Sequence, residues 1–186
     1  MDIFSFFESI YQISDEAENV LHEIMNVKAY HKNEIIQEIG SRCKTVYFVK
    51  DGCARIFYYK DGNDITEHFS FENELIVRAE SLFTGKPTSK GIQAIDKSTV
   101  LSIDSESLFK LYNQHHDIER LFRLLIEKEY VNTVKRIESL QFKTAKERYA
   151  ELLETTDYVQ KIPLKYIATY LGITQVSLSR IRADVK

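Results

Sequence analysis

Proline occurs twice and glycine six times in 186 residues. No Pro- or Gly-rich stretch is therefore present to act as a flexible linker, and the parts of the chain must join through structured segments. Cysteine also occurs only twice, at Cys43 and Cys53. With no CxxC pair and no metal-ligand spacing, both read as free thiols. No run of about 18 apolar residues exists, which excludes a membrane-spanning helix. The opening Met1-Asp2-Ile3-Phe4 has no basic segment and no small-residue cleavage site, so no signal peptide is expected and a cytoplasmic location is. Catalytic signatures are missing as well: there is no GxSxG, no P-loop and no Cys–His pair.

What is present suits a soluble chain with room for one large domain or two small ones. Apolar residues make up 44% and charged residues 28%, enough for a buried core. The net charge of −3 hides an asymmetry. Residues 135–186 hold ten Lys/Arg against six Asp/Glu, a balance of +4, which leaves −7 for residues 1–134. A basic end on an acidic body suggests a nucleic-acid module.

Residues 3–25 carry apolar side chains at helical spacing, with Phe6, Phe7 and Ile10 followed by Ala17, Val20, Leu21 and Ile24. Ser14 ahead of Asp15-Glu16 marks a helix start. From about Val27 to Ile103 the texture changes. Short β-rich runs at 34–39, 45–49, 54–59, 65–71, 91–95 and 99–103 alternate with turn residues, among them Asp51-Gly52 and Asp61-Gly62. Asp-Gly between such runs signals a hairpin, and turns every 8–12 residues or so signal a sandwich, roll or barrel rather than βαβ units.

Helical spacing returns at 105–141. A short segment is capped by Asp104 or Ser105, and a long helix over 118–141 is capped by Asp117. At 1.5 Å per residue the long helix spans about 36 Å. Its first half is apolar nearly all round, with Leu121, Phe122, Leu124, Leu125 and Ile126, so it needs more than one partner. One is its own β domain. The other is either more of the same chain or the same helix of a second copy, with Leu121, Phe122 and Leu125 as the pairing residues. Another helix over 143–156 has Ala145, Tyr149, Leu152 and Leu153 as its apolar face.

The segment 162–182 is the most informative. Pro163 suits the first helical position. Leu164, Ile167, Ala168 and Leu171 fall at i, i+3, i+4 and i+7 and form one buried stripe. Gly172 ends that helix in a left-handed turn, and Thr174 caps the next. On a wheel of about 100° per residue, Leu178 and Ile181 point inward while Val176, Ser179 and Arg180 point outward, with Gln175 at the exposed N-terminal end. This is a helix-turn-helix whose second helix offers Gln175, Val176, Ser179 and Arg180 to base edges. Lys165, Thr174 and Ser177 stand where phosphates would be held.

These residues resemble the DNA-binding end of the catabolite activator/FNR (Crp/Fnr) superfamily of bacterial transcription regulators. Leu178-Ser179-Arg180-Ile181 is similar to its recognition-helix core, and Lys146-Glu147-Arg148-Tyr149 through Leu152-Leu153 is similar to the helix before it. The order of elements agrees along the whole chain. The resemblance implies an α+β fold: an N-terminal cyclic-nucleotide-binding-like antiparallel β-roll (jelly roll) with flanking helices over 1–116, a dimerisation helix over 117–141, and a helix-turn-helix DNA-binding domain over 142–186. It implies a homodimer on pseudo-palindromic double-stranded DNA, with two recognition helices about 34 Å apart, RNA polymerase as a further partner, and no membrane. Two departures stand out. Few residues follow Arg182, so the terminal β-hairpin wing is expected to be absent or minimal. The recognition position that is commonly acidic in the superfamily is Val176, so the half-site sequence is not transferable.

Cyclic-nucleotide binders of the superfamily hold ribose with a Gly-Glu pair and the cyclic phosphate with a later Arg-Ser/Thr pair, whose Arg makes charge-assisted bonds. In the stretch Arg78 to Lys90, Phe83 and Gly85 fit that pattern. The Gly-Glu pair would fall at Arg78-Ala79 and the Arg at Thr88. No cofactor is predicted and a cyclic nucleotide is not expected. Three alternatives stay open: an unidentified small effector held by Arg78, Glu80, Thr88 and Ser89, no ligand, or a cyclic-nucleotide-responsive regulator with a degenerate cassette in which Arg78, Lys86 or Lys90 substitutes.

No N-terminal cysteine cluster suggests an iron–sulfur centre. His22, His31 and His68 are scattered and read as surface or satisfied residues, while His115-His116 reads as solvated. A roll of this size also resembles cupin metal enzymes, but only His68 lies in mid-strand. Glu67 beside it would face the other way, so neither metal ligands nor catalytic residues are expected. Millimolar cyclic AMP should leave the melting temperature unchanged in a thermal-shift assay, and a clear upward shift overturns this reading of the cassette.

Overall fold

The structure is a computed structural model that describes residues 3–184. Met1, Asp2, Val185 and Lys186 lie outside the described residues, and with them part of the segment read for a leader and one lysine of the basic end.

Two short helices, α1 (Ile3–Ile10) and α2 (Asp15–Ile24), open the chain. Ser14 caps α2 as its position predicts, its hydroxyl accepting from Ala17 N–H at 3.3 Å. There follow β1 (Met25–Tyr30), β2 (Ile35–Gln37), β3 (Thr45–Asp51), β4 (Ala54–Lys60), β5 (Asn63–Ser70), β6 (Glu74–Ile76), the short helix α3 (Ala79–Thr84), β7 (Gly91–Ala94) and β8 (Ser98–Asp104). They form two four-stranded sheets, ordered β1-β8-β3-β6 and β2-β7-β4-β5. The observed pairings are antiparallel, so the expected jelly roll is present.

The two Asp-Gly pairs serve different ends. Lys60 pairs with Asn63, and Asp61 and Gly62 between them have φ of 50° and 77°, the both-positive geometry of a two-residue hairpin turn. Asp51-Gly52, expected from its sequence to be another hairpin, is not one. The β3 strand pairs with β6 and β8, whereas β4 pairs with β5 and β7. The chain crosses here from one sheet to the other. Gly52 has φ 95°, and a Cβ on it would lie 2.4 Å from Ser98 Oγ and 2.8 Å from Lys97 O. Only glycine fits that crossing without strain.

Five helices follow: α4 (Ser105–Tyr112), α5 (His116–Phe142), α6 (Ala145–Thr155) and, after a 3₁₀ turn (Asp157–Lys161), the pair α7 (Leu164–Tyr170) and α8 (Gln175–Asp184). Asp104 caps α4, and Thr144 with Glu147 makes a full capping box on α6. Asp117 does not cap α5, because the helix begins ahead of it at His116. Its carboxylate accepts instead from the N–H and the hydroxyl of Ser14, each at 2.8 Å, which ties the start of α2 to the start of α5.

The packing is layered. Phe7, Leu21, Leu108, Ile118, Leu121, Phe122 and Leu125 from the helices cluster with Val46, Phe48, Leu101 and Ile103 of the first sheet. Val49, Ala54, Ile56, Ile76 and Ile92 fill the space between sheets. The second sheet is covered by the C-terminal helices: Cys53, Phe69, Phe71 and Ile95 share one cluster with Tyr149, Leu152, Ile162, Tyr166, Ile167 and Leu171. This layering corrects one expectation. Leu121, Phe122 and Leu125 are at most 3% exposed and are consumed by the chain's own core, so they are not a free pairing surface. Both cysteines are free and buried, and burial pushes the Cys53 thiol up, away from the reactive thiolate.

Candidate nucleic-acid interface

The helix-turn-helix forms as its residues predict, with one shift: Pro163 is the N-cap of α7 and Leu164 its first helical residue. Ile167, Ala168 and Leu171 are buried. Gly172 takes φ 70°, Gly172 N–H returns to Thr169 O, and Ile173 N–H returns to Ala168 O. That is a Schellman turn, and the partly buried Ile173 packs under it. Thr174 accepts from Ser177 N–H at 3.1 Å and shares a bond with the Ser177 hydroxyl at 2.9 Å. These two hydroxyls thus start α8 and lie at its N-terminal end.

Leu178 is fully buried and Ile181 partly so. Gln175, Val176, Ser179 and Arg180 are all exposed, with Val176 at 64%. The four predicted base-contacting residues therefore share one open face. Lys165 is exposed on α7, its Nζ 4.6 Å from the Tyr166 ring centre.

The seat of α7 was not visible in the sequence. On the face of β4 that looks toward α7, Arg55 is 1% exposed. Its guanidinium donates to both oxygens of Asp64 at 2.6 and 2.7 Å, to Gln93 Oε1 at 2.9 and 2.8 Å and to the Thr66 hydroxyl at 2.9 Å. The Tyr166 ring of α7 lies over it, 3.6 Å from ring centre to Cζ. Beside it, Thr66 N–H donates to the Thr169 hydroxyl at 3.1 Å, and Phe69 meets Tyr170 with ring centres 5.0 Å apart.

A cavity of about 580 Å³ opens where β5, the start of α3, α5, α6 and α7 converge, and Glu67, His68, Arg78, Glu80, Arg136 and Arg148 are in its wall. Of the four predicted effector residues, Arg78 and Glu80 line it, whereas Thr88 and Ser89 do not. Arg78 is 6% exposed and donates to Glu67 at 2.9 Å. Lys90 pairs with the other Glu67 oxygen. Both cations, working against burial, hold the Glu67 carboxyl below its ordinary range.

Glu67 and His68, expected from strand alternation to face opposite sides, both line the cavity. Ile56 pairs with His68 and Phe57 with Thr66, which leaves Glu67 as the extra residue of a β-bulge. The bulge breaks strict alternation and turns both side chains to the cavity. Burial lowers the His68 pKa to about 4 from 6.5, with Glu67 opposing and Arg136 and Arg78 adding. Between those values the unfolded chain binds a proton that the folded chain does not. The contribution of His68 to stability is therefore complete above pH 6.5 and is lost as pH falls toward about 4. His68→Gln should flatten the fall in melting temperature across that window, and a profile identical to wild type refutes the assignment.

Comparison with known proteins gives a consistent answer. Residues 27–115 match the cyclic nucleotide-binding domain family. No curated protein sequence matches the chain. Among solved structures, FixK2 from Bradyrhizobium japonicum is similar at a TM-score of 0.74 and 23% identity, over 87% of this chain and 84% of that one. A protein of the Crp/Fnr family from Eubacterium rectale gives 0.70 and 19%, over 91% and 82%. The c-di-GMP responsive global regulator CLP of Xanthomonas campestris gives 0.69 and 13%, over 92% and 91%. No helix of the described residues is long and apolar enough to cross a membrane. Residues 27–115 are thus similar to cyclic nucleotide-binding domains, and over most of its length the chain has the fold seen in these regulators.

Proposed function

We propose that the chain is a DNA-binding transcription regulator that works as a homodimer on a pseudo-palindromic site. The observation that carries this reading is the open face of α8. Gln175, Val176, Ser179 and Arg180 stand exposed together on a helix anchored from behind by Leu178. A hairpin of purely structural use has no reason to hold out an apolar valine between a glutamine and an arginine. Gln bonds adenine, Arg bonds guanine bidentately, and Val meets a thymine methyl. Thr174, Ser177 and Lys165 flank that face as phosphate contacts.

Pairing is supported by the second half of α5. Tyr130, Ile137 and Leu140 are 70%, 49% and 45% exposed. With Thr133 they recur at i, i+3, i+7 and i+10, the spacing of a two-helix seam. An exposed apolar stripe of this kind is covered by the same stripe of a second copy. The cavity beside it is read as the effector site, with Arg78, Glu67 and His68 at its centre rather than Thr88 and Ser89.

Two measurements test the proposal. Sedimentation should give a dimer at roughly tens of micromolar, and a strict monomer there sinks the pairing. Arg180→Ala should weaken binding to a duplex selected from random DNA by about 1–3 kcal/mol per half-site. Equal weakening on unselected duplex would make Arg180 a phosphate contact instead.

A further inference from the structure

The orientation of α8 is inherited from α7. Its buried anchor Leu178 sits in the cluster built around α7 and the turn, and of all the elements α7 is its principal neighbour. What holds the C-terminal end of α7 therefore aims the reading face.

The carbonyls at that end can be followed one by one. Leu171 N–H returns to Ile167 O, Gly172 N–H to Thr169 O and Ile173 N–H to Ala168 O. Tyr170 O and Leu171 O have no partner within the turn, and a helix end enclosed by neighbours must find them one. Two arginines from outside the pair supply it. Arg148 of α6 donates to Leu171 O at 2.8 Å and also to Lys143 O. Arg136 of α5 donates to Tyr170 O, and its guanidinium lies over the Tyr170 ring, 3.8 Å from ring centre to Cζ. Two cations at a helix C-terminus also oppose its partial negative charge.

The two ties differ in what they connect. Arg148 belongs to α6, which shares its core with α7. Arg136 belongs to the long helix, in the stretch that carries the exposed stripe Tyr130, Ile137 and Leu140. Among the described residues, its bond to Tyr170 O is the one hydrogen bond that runs directly from α5 to α7 or α8.

We infer that Arg136 is the positioning residue that sets the angle of the reading helix against the long helix. The inference rests on the reading of α8 as the DNA-contacting helix. The planar guanidinium fixes Tyr170 in two directions at once, by a bond to its carbonyl and by a face against its ring. A lysine at this place would keep the charge and one donor but lose the plane.

Hydrogen exchange on the full chain is the first test. In Arg136→Gln, amides in 164–184 should exchange at least about tenfold faster while β3, β4 and β8 keep wild-type rates. Arg136→Lys should recover part of the lost protection. Unchanged exchange in 164–184 overturns the inference, and so does acceleration spread evenly through both sheets, which reports a general loss of stability. The second test compares binding to a duplex selected from random DNA with binding to a scrambled duplex. Arg136→Gln should lose about tenfold in that ratio, with Arg136→Lys in between. An unchanged ratio also overturns the inference. A wild-type chain that prefers no duplex removes the DNA-binding reading, and the exchange result alone then decides the positioning role.

Discussion

A guanidinium can be sealed from water only when its donors are matched and its faces covered, and the burial of Arg55 imposes that condition on most of the molecule. Its partners come from three strands and one helix: Phe57 on its own strand β4, Asp64 and Thr66 on β5, Gln93 on β7 and Tyr166 on α7. Removing one partner of a buried charge costs several kcal/mol, in the region of 3–5. The β4–β5 hairpin must therefore hold its register, β7 must present Gln93 opposite Arg55, and α7 must lie where Tyr166 closes the stack. A change in any of these leaves a charge stranded in a dry place. The roll and the helix-turn-helix are in this sense one folded object, sharing one apolar cluster around one polar knot.

The long helix divides its labour along its length. Its first half, through Ile118, Leu121, Phe122 and Leu125, is built into the layer that covers the first sheet. Its second half turns an apolar stripe outward and lends Arg136 to the end of α7. The cavity lies where these duties meet, with Arg78 and Glu67 on the roll side and Arg136 and Arg148 on the other. A group lodged there touches both the roll and the seat of α7.

Much of this was legible in the residues, and the parts that were not share a cause. Local rules carried the caps at Ser14, Asp104 and Thr174, the hairpin at Asp61-Gly62 and the turn at Gly172, because each depends on a few adjacent residues. The strand β1 escaped because its middle four residues are exposed and leave no alternating pattern to read. Asp51-Gly52 misled because the same dipeptide serves a hairpin and a crossing between sheets, and only the distant Ser98 decides which. Glu67 and His68 were misjudged because the bulge that turns both inward is a property of the pairing with β4, not of β5 alone. Leu121, Phe122 and Leu125 were correctly read as apolar on several sides, but an apolar side does not say who covers it. The exposed face of α8 needed only its own helical period, which is why its exposure was the most legible part of the candidate site. The seat beneath it needed Arg55 and Arg136, which lie far from it in the chain.

The β5 strand is the outer strand of its sheet. An uncovered outer strand is a template on which another chain adds a strand of its own. Here α7 lies along it, and the Thr169 hydroxyl occupies the outward-facing Thr66 N–H. Lifting the helix-turn-helix clear of the roll would bare that strand together with Phe69 and Phe71, the makings of an aggregate. The contact that seats α7 is thus also what covers the outer strand of the sheet, and a motion of α7 and α8 that leaves β5 covered is a short slide along it rather than a release from it.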